Sequence, residues 1–505
     1  MDILHELIHT MTASEKGYFK KYPTGNGGEY IRLFDAIAAM KVYDEDKLVA
    51  RLGKASTVRH LSRAKNYLYE SLIRNLLLYH EQSTPKIRAH ILLNEAAMLH
   101  NRGLPYQAKK RLEKAKVIAR EGEWFTIWLD TLHHQRQLCN LRIYQPDELD
   151  ADTIMAEINM VIKQLENIYA YHALGQEQDR ILKSSILLRK EEIKEKLEEI
   201  KNHPLLRDES EALSLTGKIT YNHTHYFNAV LRQDYATAYT FARRHLELIA
   251  ASKEMQEARP TIIFDAYNII LTAAQFMKES AAMSKYLTGL KELPVRNTYQ
   301  EIVKFQYYSG FALQHYVNER NEKEFVRSAQ EIAAKLKLYH RAIKEDMRIS
   351  ILLAISDGYT RFGRYEEAID TIEGYRQKPP KDIRQDYQNF LLFFYLIAQH
   401  ELGNKQLVQN LLTNVERFMK RVKEFSPIDH LCLRVFSVIN DVPDKRTRNI
   451  ELGKISAELD KMVQDSGRNW RNYQLILSPF IHSQMRGIKY HEAQVPRENS
   501  RLNHH

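Results

Sequence analysis

Apolar residues recur at helical spacing along almost the whole of this chain, and the alternation that marks half-buried strands is hard to find. The stretch "STVRHLSRAKNYLYESLIRNLLLYH" shows the pattern early. Ser56 or Thr57 can cap the helix, and Leu61, Leu68, Leu72 and Leu76 follow at spacings of seven and four. "RKEEIKEKLEEIKNHPLL" reads as a charged helix with Ile193, Leu197 and Ile200 as its narrow apolar stripe. It is expected to stop before Pro204, whose ring nitrogen has no hydrogen to donate. Only 18 glycines and 13 prolines occur in 505 residues, too few for the turns of a many-stranded β fold. The reading is all-α.

A chain this long exceeds what one compact core serves, so roughly two to four domains or one extended array are expected. Breaks marked by Pro or Gly fall near Gly25–Gly28, Pro85, Gly103–Pro105, Pro146, Pro204, Pro260, Pro294, Pro379–Pro380, Pro427 and Pro443. Many lie roughly 35 to 60 residues apart, the interval of one helical hairpin or a hairpin plus a helix.

One stretch supplies a template. In "RFGRYEEAIDTIEGYRQKPP", Gly363 is followed by Tyr365, Ala368, Ile372, Tyr375 and Pro380, and preceded by Leu352, Ile355, Ser356 and Tyr359 on one helix face. Gly363 allows a tight turn between helices, and the small Ser356 and Ala368 let two helices approach closely. Tyr359, Ile372 and Tyr375 can fill the space between neighbouring hairpins, and Pro380 can end the second helix. The pattern resembles the tetratricopeptide repeat, a helix–turn–helix unit of about 34 residues. Leu352 stands where that family often has tryptophan, and Tyr375 where alanine is usual.

A second match is "LLNEAAMLHNRGLPYQAKKRLEKAKVIAREGEW", with Gly103, Ala108, Leu112 and Ala115 behind Leu92, Ala96 and Leu99. Its Tyr106 stands one place late, and Arg120 replaces a common proline. Three segments match more weakly. One carries Gly403, Val408, Leu412 and Val415. Another carries Tyr235 and Ala238 with Gln233 in place of the glycine. The third carries Tyr316, Phe325, Ala329 and Ile332 around a turn without glycine. Gly363 and Gly403 are 40 residues apart, so at least one hairpin there is longer than the standard unit.

The resemblance implies a right-handed superhelix of antiparallel helical hairpins, each too small to bury its own apolar face. Recognisable units cover residues 89 to about 418 with gaps. The expected organisation is a helical cap over 1–83, the repeat array over 84–418, a second cap over 419–490 and a disordered tail over 491–505. The concave groove of such arrays, lined by first helices, holds peptides or helices. By register the groove positions are His90, Leu93, Ala97, His100 and Asn101 in the early unit. In the template unit they are Ser350, Leu353, Asp357, Thr360 and Arg361. These sets lack the Lys and paired Asn with which some members clamp a C-terminal carboxylate, so binding of that kind is disfavoured. The Gly403 unit adds Phe390, Phe393, Ile397 and His400, an apolar lining suited to a partner's amphipathic helix or to the next hairpin.

Charge and chemistry narrow the function. The net charge is +10, and residues 417–505 hold 16 Lys/Arg against 10 Asp/Glu, a mildly basic end without any block of five like charges. Cys139 and Cys432 cannot make a disulfide framework and suit a reducing compartment. The N-terminal stretch carries Asp2 and Glu6 and reads as no secretory signal, and the longest apolar run, Phe390 to Ala398, is far short of a membrane span. A cytoplasmic protein of bacterial type is expected.

No phosphate-cradling loop, nucleophile elbow or HExxH motif occurs. His223 and His225 lie two apart, which on a helix turns them about 200° from one another and prevents joint chelation. His133 and His134 are adjacent, and His430 with Cys432 has no second pair nearby, so no metal or other cofactor is expected. Glu191–Glu192 and Glu198–Glu199 read as solvated carboxylates on a charged helix.

The expected function is a non-catalytic scaffold that binds a protein or peptide in its groove, away from any membrane. The alternative is a regulator whose N-terminal helices bind nucleic acid through Arg59, Arg63 and Lys65 near the start of a helix, under control of the repeat array. Against it, residues 1–83 hold 12 Lys/Arg and 10 Asp/Glu, a weak balance for a nucleic-acid module.

Overall fold

The computed structural model describes residues 2–22, 27–53, 60–81, 84–140, 150–184, 190–340, 342–376, 385–421, 427–466 and 468–493. Among them every regular element is a helix and none is a strand, as the periodicity requires. None of the described helices is long and apolar enough to cross a membrane. Compact packing divides the chain into two units, one of residues 1–277 with 294–301, the other of residues 278–293 with 302–505.

The first unit opens with Ile3–Thr10, Ala13–Lys21, Gly27–Ala38, Glu45–Leu52 and Leu61–His80 around a core of their own. Leu68 and Leu72 are fully buried there. Ser56 and Thr57 lie outside the described residues, and the helix they were expected to cap runs from Leu61, with His60 before it and no side-chain cap. Pro85–Asn101, Pro105–Glu121 and Phe125–Cys139 follow, each packed on the next and the first also on the third. Pro85 and Pro105 both begin helices, where a missing N–H costs nothing. The long helix Ala151–Ser184 and the helices Leu215–Leu231, Tyr235–Ala251 and Ile262–Met277 continue the unit. The charged helix ends at Lys201, before Pro204 as expected, and Pro204 itself starts a short 3-10 turn.

The second unit builds one continuous core that runs from Ile302 to Tyr490. Its helices include Glu322–Leu338, Glu345–Arg361, Tyr365–Arg376, Gln385–Glu401, Lys405–Arg421, Pro427–Asp441, Lys445–Ser466 and Arg468–Arg486. Again neighbours pack in overlapping threes: Glu345–Arg361 touches both helices after it, and so does Pro427–Asp441.

One turn recurs six times among the described residues, three times in each unit. Gly103, Glu123, Gln233, Arg320, Gly363 and Gly403 all take positive φ, between 49° and 83°. In each case this residue's N–H bonds the carbonyl three back at 2.9–3.2 Å, and the next N–H bonds the carbonyl five before it at 2.8–3.0 Å. That is the Schellman arrangement, which satisfies the last carbonyls of the outgoing helix. The next helix begins two residues after the turn residue every time. Five places on sit Ala108, Trp128, Ala238, Phe325, Ala368 and Val408, all buried; nine places on sit Leu112, Leu132, Ala242, Ala329, Ile372 and Leu412, buried as well.

The segments with Gln233 and Arg320, weak by their missing glycine, therefore use the same turn. A non-glycine residue there costs about 1–2 kcal/mol. The following residue offsets it: Asp234 accepts from Thr237 N–H at 3.2 Å and Asn321 from Glu324 N–H at 3.2 Å, both N-caps. Size is compensated too. Where Phe325 replaces the small residue, Gly358 lies opposite, and a Cβ on Gly358 would stand 2.1 Å from the Phe325 ring. Tyr375 has no described side chain and Pro380 lies outside the described residues.

Candidate functional site

The expected groove positions of the first unit lie on Pro85–Asn101. His90 and Asn101 are exposed, Ala97 and His100 half-buried, and Leu93 is buried in the hairpin core with Leu112 and Leu138. Of the residues proposed for nucleic acid, Arg59 lies outside the described residues and Arg63 is exposed. Lys65 is tied down. It makes an ion pair with Asp2, stands 3.5 Å from Glu45 and donates to the Tyr43 hydroxyl at 2.7 Å. Burial of the ammonium is outweighed by these partners, which hold its pKa above the ordinary lysine value. A lysine neutralised in this way adds nothing to a free basic face.

The paired histidines are also engaged separately. His225 Nε2 lies 3.0 Å from the Leu206 carbonyl oxygen and its ring stacks on Phe241, while His223 is exposed. No group of three or more His, Cys, Asp or Glu among the described residues could hold a metal ion.

In the second unit the template positions divide. Ser350 is exposed, Leu353 half-buried, and Thr360 fully buried with its hydroxyl donating to the Ser356 carbonyl at 2.7 Å. Asp357 and Arg361, one turn apart, form an ion pair of 2.6 Å. The apolar lining of Gln385–Glu401 is covered. Tyr473, on the helix Arg468–Arg486, lays its ring 4.3 Å from Phe390 and 5.9 Å from Phe393, and its hydroxyl donates to Asp429 at 2.9 Å. Ile397 is buried, and the His400 ring meets Phe480 edge-on at 5.7 Å. The face that could have taken a partner's amphipathic helix takes the chain's own.

The covering continues past that helix. Gly487, at φ 73°, ends it with its N–H on the Ser483 carbonyl at 2.8 Å. A short segment then lies over the ends of two hairpin helices. Lys489 donates to the Glu401 carbonyl and sits 3.6 Å from the Glu401 carboxylate. Tyr490 is fully buried. His491 Nδ1 lies 3.0 Å from the Tyr365 hydroxyl and packs so closely on Gly363 that a Cβ there would come within 2.9 Å of it. Thus Gly363 serves both its turn and its neighbour. The tail expected to be disordered from 491 begins with packed residues, since Ala493 too is buried; residues 494–505 lie outside the described residues.

Electrostatics around this segment follow from burial. Burial pushes the Glu401 carboxyl above the usual carboxylate range, and Lys489 pulls it back in part. His400 is held below the ordinary histidine value, first by burial, against the opposing pull of its bond to Gln484 at 3.0 Å. Lys405, Lys489 and Arg448 add to the depression. The imidazole is therefore neutral at pH 7 and donates through Nε2 to the Gln484 oxygen.

Sequence reading missed Glu401, Gln484, Lys489, Tyr490 and His491. A legible signal did exist, because Tyr473, Leu477, Phe480 and Ile481 form a stripe at helical spacing that demands a partner. No protein-family model, curated protein or solved structure matches the chain.

Proposed function

We propose that the chain is a non-catalytic scaffold of tetratricopeptide-like hairpins, acting in the cytoplasm of a bacterial-type cell, that holds a protein or peptide segment on its first-helix faces. The observation that carries this reading is the segment Lys489–Ala493. It is an irregular stretch of polypeptide held over the helix ends and the Gly363 turn of the second unit's hairpins, beside the first-helix faces, by an ion pair to Glu401, a buried tyrosine and a histidine–tyrosine hydrogen bond. Mixed polar and apolar contact of this kind is what peptide recognition by a helical array requires. The turn that recurs three times in each unit supports the repeat architecture, because joints of one geometry would let stacked hairpins present equivalent helix faces.

The test is site-specific photo-crosslinking of the full chain in its native cells. A photoreactive side chain replaces His90 or Ser350, both exposed and both on first helices. Lys110, exposed on the second helix Pro105–Glu121, serves as the control. A discrete protein adduct is expected from His90 or Ser350 and not from Lys110. No adduct at either position, or the same adducts from all three, contradicts the scaffold.

A further inference from the structure

The helix Leu61–His80 is apolar on two sides. Ala64, Leu68 and Leu72 turn one side into the core of the first unit's opening helices. On the outer side Tyr67, Ile73, Leu77 and Leu78 are between 41% and 53% exposed. The Tyr30 ring stands 4.6 Å from that of Tyr67 and braces it. Helices that close an array ordinarily turn polar residues to water. Four exposed apolar side chains on one helix of the opening group therefore mark a surface that something covers.

The order of residues along this face says what covers it. Arg63, Tyr67, Glu70, Arg74, Leu77 and Glu81 recur at spacings of four and three, which places them on one stripe of the helix. Glu81 follows the helix with φ −51° and ψ −45° and so keeps its register. If two copies of the stripe lie parallel and in register, Arg63, Glu70, Arg74 and Glu81 each meet their like. If they lie antiparallel about a two-fold axis at the level of Leu72, every layer is complementary. Glu70 then faces Arg74 of the second copy, Tyr67 faces Leu77, and Arg63 faces Glu81. Each pair occurs twice, as an isologous contact requires. Polar layers in a helix seam cost stability and fix the orientation of the helices.

Arg63, Glu70 and Arg74 are exposed. No ion pair among the described residues engages them, whereas Lys65 on the same helix is held by Asp2. Glu81 already pairs with Arg88, so the central Glu70–Arg74 layer decides the register. We propose that the outer face of Leu61–His80 is a self-association surface on which a second copy of this chain docks antiparallel. None of the groove positions takes part, so the dimer goes beyond the scaffold reading and does not rest on it.

Sedimentation equilibrium of the full chain measures this. A monomer–dimer equilibrium is expected, with dimer present below about 100 μM. Glu70→Arg alone and Arg74→Glu alone each set like charges across the central layer. Both should weaken dimerisation at least tenfold, although they change the net charge in opposite directions. The two changes combined in one chain rebuild the layer with its signs exchanged and should recover most of the dimer. A parallel pairing predicts no such recovery. Both residues are exposed, so the variants should fold, judged by circular dichroism. Should a reversal not fold, Leu77→Asp, also at an exposed position, replaces it and should weaken the dimer as much. A chain that stays monomeric up to about 100 μM, a dimer indifferent to these changes, or a combined variant no better than the single ones overturns the proposal. So does a photoreactive side chain at Leu77 that couples, in native cells, to another protein and not to a second copy.

Discussion

His245 carries a cost that its surroundings conceal at neutral pH. Its side chain is 5% exposed, and its Nδ1 donates to the Ile219 carbonyl at 3.0 Å. Burial, with the His223 ring nearby, lowers the imidazole from 6.5 to about 4. The unfolded chain therefore takes up a proton near pH 6.5 that the folded chain refuses until about pH 4. Between those values the unfolded state binds more protons, so stability falls as pH falls, by about 3 kcal/mol over the window. His245→Gln removes the titration and keeps a donor. Its unfolding free energy, from urea titrations between pH 4 and 6.5, should fall less steeply than that of the native chain. Identical slopes would show that the buried ring does not titrate in this way. Nothing in the sequence marks this histidine out from the other 20, because burial and the neighbouring ring come from packing across helices.

The turn is the element on which the fold was most legible, and also where reading by residue identity undercounted. Gly103, Gly363 and Gly403 announced their joints because glycine is the default at positive φ. Gln233, Arg320 and Glu123 occupy the same backbone state without announcing it. The real signal was the frame around the turn: a buried small or apolar residue five places on and another nine places on. The segments with Gln233 and Arg320 were legible only as weak matches, the joint at Glu123 was not read at all, and Gln233 and Glu123 differ in purpose. Gln233 is exposed and its own side chain has no hydrogen bond or ion pair among the described residues, so only the Asp234 cap offsets its strain, whereas the Glu123 carboxylate accepts from the Leu215 and Thr216 N–H groups at 2.8 and 2.6 Å and so caps a helix over 90 residues away. Gln233→Gly should raise stability by up to about 1 kcal/mol, the relief of strain less the added freedom of the unfolded chain. Glu123→Gly should lower it by about 1–2 kcal/mol despite the same relief. Urea unfolding of the two variants side by side reads the difference. Equal shifts of the same sign would mean that the Glu123 cap contributes nothing.

Across the whole molecule, the all-helical class, the helical stripes and the template hairpin followed from spacing alone. The fate of the groove did not. Phe390, Phe393 and His400 read as core or as a docking face, with core ahead, because an apolar face does not state which apolar face will cover it. The structure covers them with Tyr473 and Phe480 from more than 70 residues on. Short segments escaped for a related reason: Lys489–Ala493 is too brief to show a period, and its place is set by Glu401, Tyr365 and Gly363. The proposed function holds that the second unit's hairpins grip peptide, as their helix ends hold this segment. Saturation-transfer NMR of a synthetic peptide with the sequence of residues 487–493 tests it most directly, comparing the native chain with Tyr490→Ala. Saturable transfer to the tyrosine and histidine protons is expected with the variant, whose own segment no longer occupies those helix ends, and little or none with the native chain. Equal transfer with both proteins, or none with a folded Tyr490→Ala chain, would contradict the claim.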